Sequence, residues 1–232
     1  MGTNPSLDEL AERVQARVLE QALEQALEPA RPRAPRVIVG IAGEPGAGKS
    51  TLAAGLVAAL VRRGSAAVVV PMDGFHLTNA ELARRGLTAR KGAIETFDGE
   101  GFAELLWRLR GGDGRVGGSM DAVPVRAPAY DRSVEERVVD AITVPYLTPV
   151  VVTEGNYLLV EDGPWARVRA ALDEAWYVET DDALRRRRLV ARHEEFGKEP
   201  EAARAWVETV DEPNAALVRS TRRRADVVVT VT

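Results

Sequence analysis

The chain has 232 residues, 45% hydrophobic and 28% charged, the mix of a folded protein of one or two domains. It holds no cysteine, which excludes disulfides, thiolate metal sites and a cysteine nucleophile. Its net charge of -4 argues against a broad electrostatic grip on nucleic acid. No apolar run approaches the roughly 20 residues of a membrane helix. The first ten residues carry acids where a secretory signal carries basic residues, so no membrane partner and a cytoplasmic location are expected. Only Lys49, Lys91 and Lys198 among the 31 basic residues are lysines. A coding bias toward arginine accounts for most of this, but the two cations are not interchangeable and each lysine stands out.

Residues 6–28 read as an amphipathic helix. Ser6 and Glu9 have the spacing of a capping box, and Leu7, Leu10, Val14, Val18, Ala22 and Ala26 recur three and four apart. Such a stripe packs on the main domain or pairs with a second copy, so a homodimer is one expectation. Three prolines, Pro29, Pro32 and Pro35, forbid a helix and predict a stiff connector. Residues 1–35 therefore form a helix and linker ahead of a domain at 36–232. Residues 37–42 are a continuous apolar run with β-branched side chains, suited to a strand buried on both faces of a parallel sheet. A helix is expected over 48–63 and a second buried strand over 66–71. Another helix spans 98–110, with Phe102, Leu105, Leu106 and Leu109 on one side. Five glycines between Gly111 and Gly118 predict a flexible loop. Short β-like pieces at 134–144, buried strands at 148–153 and 174–179, and an arginine-rich helix at 181–195 follow. One or two helices within 199–224 and a last strand at 227–231 complete an α/β pattern on a parallel sheet.

Gly43-Glu44-Pro45-Gly46-Ala47-Gly48-Lys49-Ser50-Thr51 fits G-x-x-x-x-G-K-[ST] between a buried strand and a helix. The glycines let backbone N–H groups turn inward around phosphate oxygens, where side chains would block close approach. The helix N-terminus adds positive potential. Lys49 is placed to reach the β- and γ-phosphates, and the Ser50 hydroxyl to bind Mg²⁺.

A phosphate loop alone does not separate a hydrolysing switch from a transferase. A guanine-reading N-K-x-D is absent, since no asparagine precedes a lysine. Asp98-Gly99-Glu100-Gly101 matches a D-x-x-G switch pattern but follows no buried strand and reads as a helix N-terminus. Asp73 lies just beyond the second strand, where strand C-termini face a ligand crevice. There it either takes a proton from an acceptor hydroxyl or forms a simple Asp-Gly turn. Glu154 ends another apolar run and either binds a metal-bound water or substrate hydroxyl, or opens a surface loop. Arg185, Arg188 and Arg192 share a helix face, as a lid over phosphates or as a solvated charged face. His76 and His193 have no ligand-like partners nearby in sequence. Phe75, Tyr130, Tyr157 and Trp165 can stack on a base or fill the core, and Arg90, Lys91 and Arg132 can hold an anionic group or pair on the surface.

Taken together, these segments resemble the phosphate-loop small-molecule kinases that include uridine kinase, phosphoribulokinase and the bacterial-type pantothenate kinase. The nucleoside/nucleotide kinase-like, or sugar kinase-like, subgroup is the nearest. The likeness rests on residues 40–51, 71–76, 90–98, 128–132, 153–159, the arginine helix and 225–227, in family order. It implies a P-loop NTPase fold with a five-stranded parallel sheet flanked by helices, a small β insertion and a helical lid around 185–200. It also implies ATP and Mg²⁺ as cofactors. The implied activity is transfer of the γ-phosphoryl group to a hydroxyl of a small metabolite, a nucleoside or sugar/polyol in preference to a pantothenate-like acid. The rival of another class is a P-loop ATPase or GTPase switch. By resemblance Asp73 is the catalytic base, acting with Lys49 and Arg188. Gly43 to Thr51, with Arg188 and Arg192, hold ATP, and Ser50 and Glu154 hold the metal. Asp73, Phe75, His76, Lys91, Tyr130, Arg132, Glu154 and Asn156 contact the acceptor.

Overall fold

The computed structural model describes residues 4–27, 36–111 and 124–232. The Pro-rich connector and residues 112–118 of the glycine-rich loop lie outside them. The expected α/β architecture is present. The first helix, α1 (Leu7–Leu27), starts at the capping box: Ser6 Oγ accepts from the Glu9 amide at 3.2 Å, and the Glu9 carboxylate accepts from the Ser6 amide at 2.7 Å. Five parallel strands form the central sheet. They are β1 (Val37–Gly43), β2 (Ala67–Pro71), β5 (Val150–Gly155), β6 (Glu174–Glu179) and β7 (Val227–Thr230), in the order β2-β5-β1-β6-β7. Between β2 and β5 the chain forms a separate two-stranded antiparallel sheet of β3 (Val125–Asp131) and β4 (Glu136–Val144).

Every residue of β1 and β5 is buried, as their unbroken apolar sequence requires of strands covered on both faces. The expected second buried strand, β2, is only half-buried, with Val70 its one fully buried residue. The reason is its place at the sheet edge, which no local pattern encodes. Helix α2 (Lys49–Arg62) and α1 cover one face, where Leu10, Val14, Leu52, Leu56, Val152 and Trp176 share a core. The other face is covered by α4 (Gly99–Arg110) and α5 (Pro164–Ala171), through Phe102, Leu106, Tyr157, Trp165 and Val168. Asp98 caps α4 by accepting from the Gly101 amide at 2.9 Å. The D-x-x-G tetrad is thus the helix N-terminus read from the sequence, and it does not line the phosphate-loop cavity. Tyr157 and Trp165, weighed above as base-stacking residues, belong to this core and pack edge-to-face at 5.5 Å.

Helices α3 (Asn79–Arg85) and α5 were not expected from the sequence. Both are short, at seven and eight residues, and α3 is mostly polar, so neither carries a readable apolar period. The C-terminal segment contains α6 (Asp182–Glu195), α7 (Pro200–Trp206) and α8 (Glu212–Ser220), with a π-helical turn at Val207–Asp211 joining the last two. Among the described residues, no helix is long and apolar enough to cross a membrane.

Candidate active site

β1 lies at the centre of the sheet, between strands that connect to opposite sides, so the crevice beyond its C-terminus is the expected ligand position. The phosphate loop fills that position. Gly46 and Gly48 take φ angles of 79° and 98°, which L side chains rarely adopt. A Cβ at Gly46 would also sit 2.9 Å from the Arg185 carbonyl and 2.8 Å from Leu189, so α6 is seated directly on the loop. Gly48 caps α2 with no side-chain hydrogen bond, leaving the first N–H groups of the helix to an incoming anion.

Neighbouring strands bring the acids to this loop. Pro71 of β2 pairs with Glu154 of β5, so Asp73, two residues on, stands just beyond Glu154 at the same sheet edge. Ser50 Oγ donates to Glu154 Oε1 at 2.8 Å, and Lys49 Nζ donates to Asn156 Oδ1 at 2.7 Å and to the Glu44 carbonyl at 3.0 Å. Arg132, at the end of the β3–β4 hairpin's first strand, donates from Nη2 to Asp73 Oδ2 at 2.8 Å. His76 is held between Phe97 and Tyr130, at 4.0 and 4.6 Å between ring centres. Lys91 lies over the Tyr130 ring and donates to Asn79 Oδ1 at 2.7 Å and the Glu135 carbonyl at 2.6 Å.

These groups line one cavity of about 720 Å³, together with Pro45, Thr51, Arg188 and Arg192. Its electrostatics follow from burial. Lys49 is desolvated and pulled down to about 8, against support from Glu154 and Asp73. Glu154 is pushed up by burial and then by Asp73, the opposite of what a carboxylate beside a lysine alone would show. Burial also lowers His76 and Arg192, the latter helped by the nearby Arg132 charge. The site thus holds charges that a ligand of opposite sign would stabilise.

Several expected site residues lie elsewhere. Phe75 packs into the core against Phe102 at 5.0 Å and does not line the cavity, because the short 3-10 turn at Met72–Phe75 sends it inward while Asp73 stays at the mouth. Gly43, Glu44 and Ala47 belong to the loop but not to the cavity wall. Glu44 instead accepts from Arg219 at 2.6 Å and Tyr177 at 3.2 Å, and pairs with Arg185 at 3.2 Å. Arg185 is 1% exposed and also bonds Glu212 at 2.6 Å. It is neither a lid cation nor part of a solvated face: its end of α6 abuts the loop, so it is buried among acids. Arg90 pairs on the surface with Glu95 at 2.6 Å.

The cavity also contains residues that sequence reasoning missed: Asn79, Glu135, Phe196, Lys198, Trp206 and Asp211. Asp211 Oδ2 accepts from His193 Nε2 at 2.8 Å, a partner 18 residues distant in sequence and on another helix. No spacing rule would have joined them.

A model of the phosphoribulokinase / uridine kinase family matches residues 38–232. The chain is 38% identical over 138 residues to the ATP-dependent kinase-like protein notR' of Aspergillus versicolor, spanning 58% of this chain and 77% of that one. It is 29% identical over 215 residues to a pantothenate kinase of Corynebacterium glutamicum strain R, covering 83% of this chain but only 64% of the relative. The crystal structure of a provisionally named fructose transport system kinase from Silicibacter sp. TM1040 superposes with a TM-score of 0.79 at 37% identity, covering 97% of this chain and 98% of that one. The phosphate loop, the strand-end acids and the matching length of chain agree: the protein belongs to the phosphoribulokinase/uridine kinase family of P-loop kinases.

Proposed function

We propose that the chain transfers the γ-phosphoryl group of ATP to a hydroxyl of a small metabolite. The observation that carries this reading is that one cavity holds both the phosphate loop and a carboxylate that the loop does not bond. Asp73 pairs with Arg132 and lines the same cavity as Lys49, Ser50 and Glu154. A hydrolysing switch has no need of such a walled space beyond the phosphates.

The residues fit Mg-ATP. The Ser50 hydroxyl and Glu154 carboxylate form a hard-oxygen pair beside the phosphate loop, and burial pushes Glu154 up so that a cation there would favour its ionised form. Ser50 and Glu154 would hold Mg²⁺ there, and the ion would supply positive charge to offset the negative charge developing on the transferred group. Lys49 and the N–H groups at the start of α2 would hold the phosphates, and Arg188 and Arg192 would close over them from α6. Among the described residues neither guanidinium makes a hydrogen bond or a direct ion pair, though Asp211, Asp73 and Glu154 lie near enough to Arg192 to favour its charge. Asp73 would orient the acceptor hydroxyl and accept its proton, with Arg132 fixing the carboxylate. His76, Lys91, Tyr130 and Asn156 would shape the acceptor's surroundings. The C. glutamicum relative supports a second acceptor class, a pantothenate-like acid.

The test is ADP release from Mg-ATP with and without nucleosides, sugars, polyols and pantothenate, with the phosphate ester identified by mass spectrometry. Strong stimulation by one compound is expected, and Asp73→Asn should lower its turnover by about 10²–10⁴-fold. Near-normal turnover in Asp73→Asn would remove the base assignment. Steady release that nothing stimulates would favour the ATPase or switch.

A further inference from the structure

The turn that carries Arg132 is held from two sides. Residues 132–135 join β3 to β4, with Asp131 opposite Glu136 in the register. Arg132 bonds Asp73, and three residues further on the same turn meets Lys91 and Asn79. Lys91 Nζ donates to the Glu135 carbonyl at 2.6 Å and to Asn79 Oδ1 at 2.7 Å, and it lies 3.5 Å from Glu135 Oε2. Asn79 Nδ2 donates to the same carbonyl at 3.1 Å, and the Asn79 amide to Glu136 Oε2 at 3.1 Å. An ammonium has three N–H groups. Three protein oxygens already occupy those of Lys91, so bonding a substrate hydroxyl would cost it one of these contacts.

The root of Lys91 is fixed as well. Its neighbour Gly92 accepts from the buried Tyr157 hydroxyl at 2.7 Å, and the Gly92 amide donates to Thr96 Oγ1 at 3.0 Å. The contacts thus run without a break from the core to the hairpin tip. The tip has need of them. Glu135 takes a φ of 49°, in the left-handed region where glycine is at ease and glutamate is not. Such a conformation persists only where the surroundings over-determine it. The other part of the hairpin rests on the Asp73 turn itself: Gly74 gives the space of its missing side chain to the Pro128 carbonyl of β3. With β3 seated there, the tip decides where the Arg132 guanidinium stands.

We propose, resting on the phosphotransferase reading, that Lys91 is a positioning residue and not a substrate ligand. It clasps the strained hairpin turn so that Arg132 holds Asp73 toward the acceptor hydroxyl. Lys91 then acts on transfer only through the hairpin. A tip displaced by about 1 Å would cost about 10²-fold in rate, because the reacting groups lose their alignment.

Hydrogen exchange and steady-state kinetics on the full chain test the clasp. Kinetics use Mg-ATP with uridine, fructose, glycerol and pantothenate as acceptor probes, and follow the one that the wild type phosphorylates fastest. In Lys91→Met, amide exchange over 131–137 should quicken by about tenfold or more, as in a segment opened locally. Its kcat should fall by about 10²-fold while the KM for Mg-ATP changes by less than about threefold. Glu135→Gly removes the steric penalty at the turn. Added to Lys91→Met, it should restore exchange protection and recover at least about tenfold of the lost kcat, the scale of coupling between neighbours in one network. A side chain that touched the substrate directly could not be replaced by a glycine on the hairpin. Unchanged exchange in Lys91→Met, or a kcat that Glu135→Gly fails to lift, would overturn the clasp while leaving the transferase standing. ADP release by the wild type that no probe stimulates would overturn both.

Discussion

Burial holds Lys49 at about 8, well below the ordinary lysine range, and this has two consequences of known sign. For the free protein, the desolvation penalty is fully present below about pH 8. Between there and the ordinary lysine range the unfolded chain binds more protons, so stability rises with pH across that window. Nucleotide binding runs the other way, because phosphates favour the charged lysine. Calorimetry of ATP binding at about pH 8.5, in buffers of different ionisation heat, should show proton uptake that Lys49→Met abolishes. Uptake unchanged in Lys49→Met would locate the titrating group elsewhere. The phosphate loop and Asp73 were legible in sequence because a backbone constraint and a strand end leave marks in consecutive residues. Phe75 was misplaced because a single 3-10 turn decides which of two adjacent side chains faces the cavity. The His193–Asp211 pair was invisible because only the packing of two helices brings it together.

At the level of elements, α6 divides into two halves with different work. Its first turns are bound to the loop through Arg185, which meets Glu44 and Glu212, while Arg219 holds Glu44 from α8. The stretch over 185–200 expected to act as a lid is thus fixed at its start through Arg185, and at Leu189 by burial. Arg185→Ala removes one of two arginines from each of the partly buried Glu44 and Glu212, which keep Arg219 and Arg186, and should cost about 1–3 kcal/mol in urea unfolding. Arg188→Ala should leave the unfolding midpoint in place and lower turnover by about 10²-fold, the scale seen when one preorganised donor to a developing charge is removed. Equal stability losses in both variants would refute this division of α6. The arginine spacing gave the shared face correctly, but a periodicity cannot say that one member of the stripe meets acids and the next meets open space.

For the whole molecule, the open question is what α1 does, since its sequence suited packing or pairing equally. Leu10, Ala11 and Val14 are buried against the sheet side covered by α2, and Gly55 of α2 lets Leu7 approach closely, with an added Cβ only 3.1 Å from it. Arg13 and Arg17 reach Glu174 at 2.7 and 3.2 Å, and Glu174 is 2% exposed. Asn4 exchanges two hydrogen bonds with Thr230, tying the start of the described chain to β7. Removing residues 1–27 would expose the surface under Leu10 and Val14, worth about 1.5–3 kcal/mol for each side chain, and leave Glu174 with Trp176 as its remaining partner. Against a typical stability of about 5–15 kcal/mol, the truncated chain should be marginal, with a urea midpoint shifted down by a third or more. The exposed Leu19, Leu23 and Leu27 lie on the outer half of the same helix. If α1 served pairing instead, truncation would change the sedimentation coefficient and leave the midpoint of the monomer unaltered. Measuring both on the same truncated protein separates the two roles, and the buried acid at Glu174 makes loss of stability the expected result.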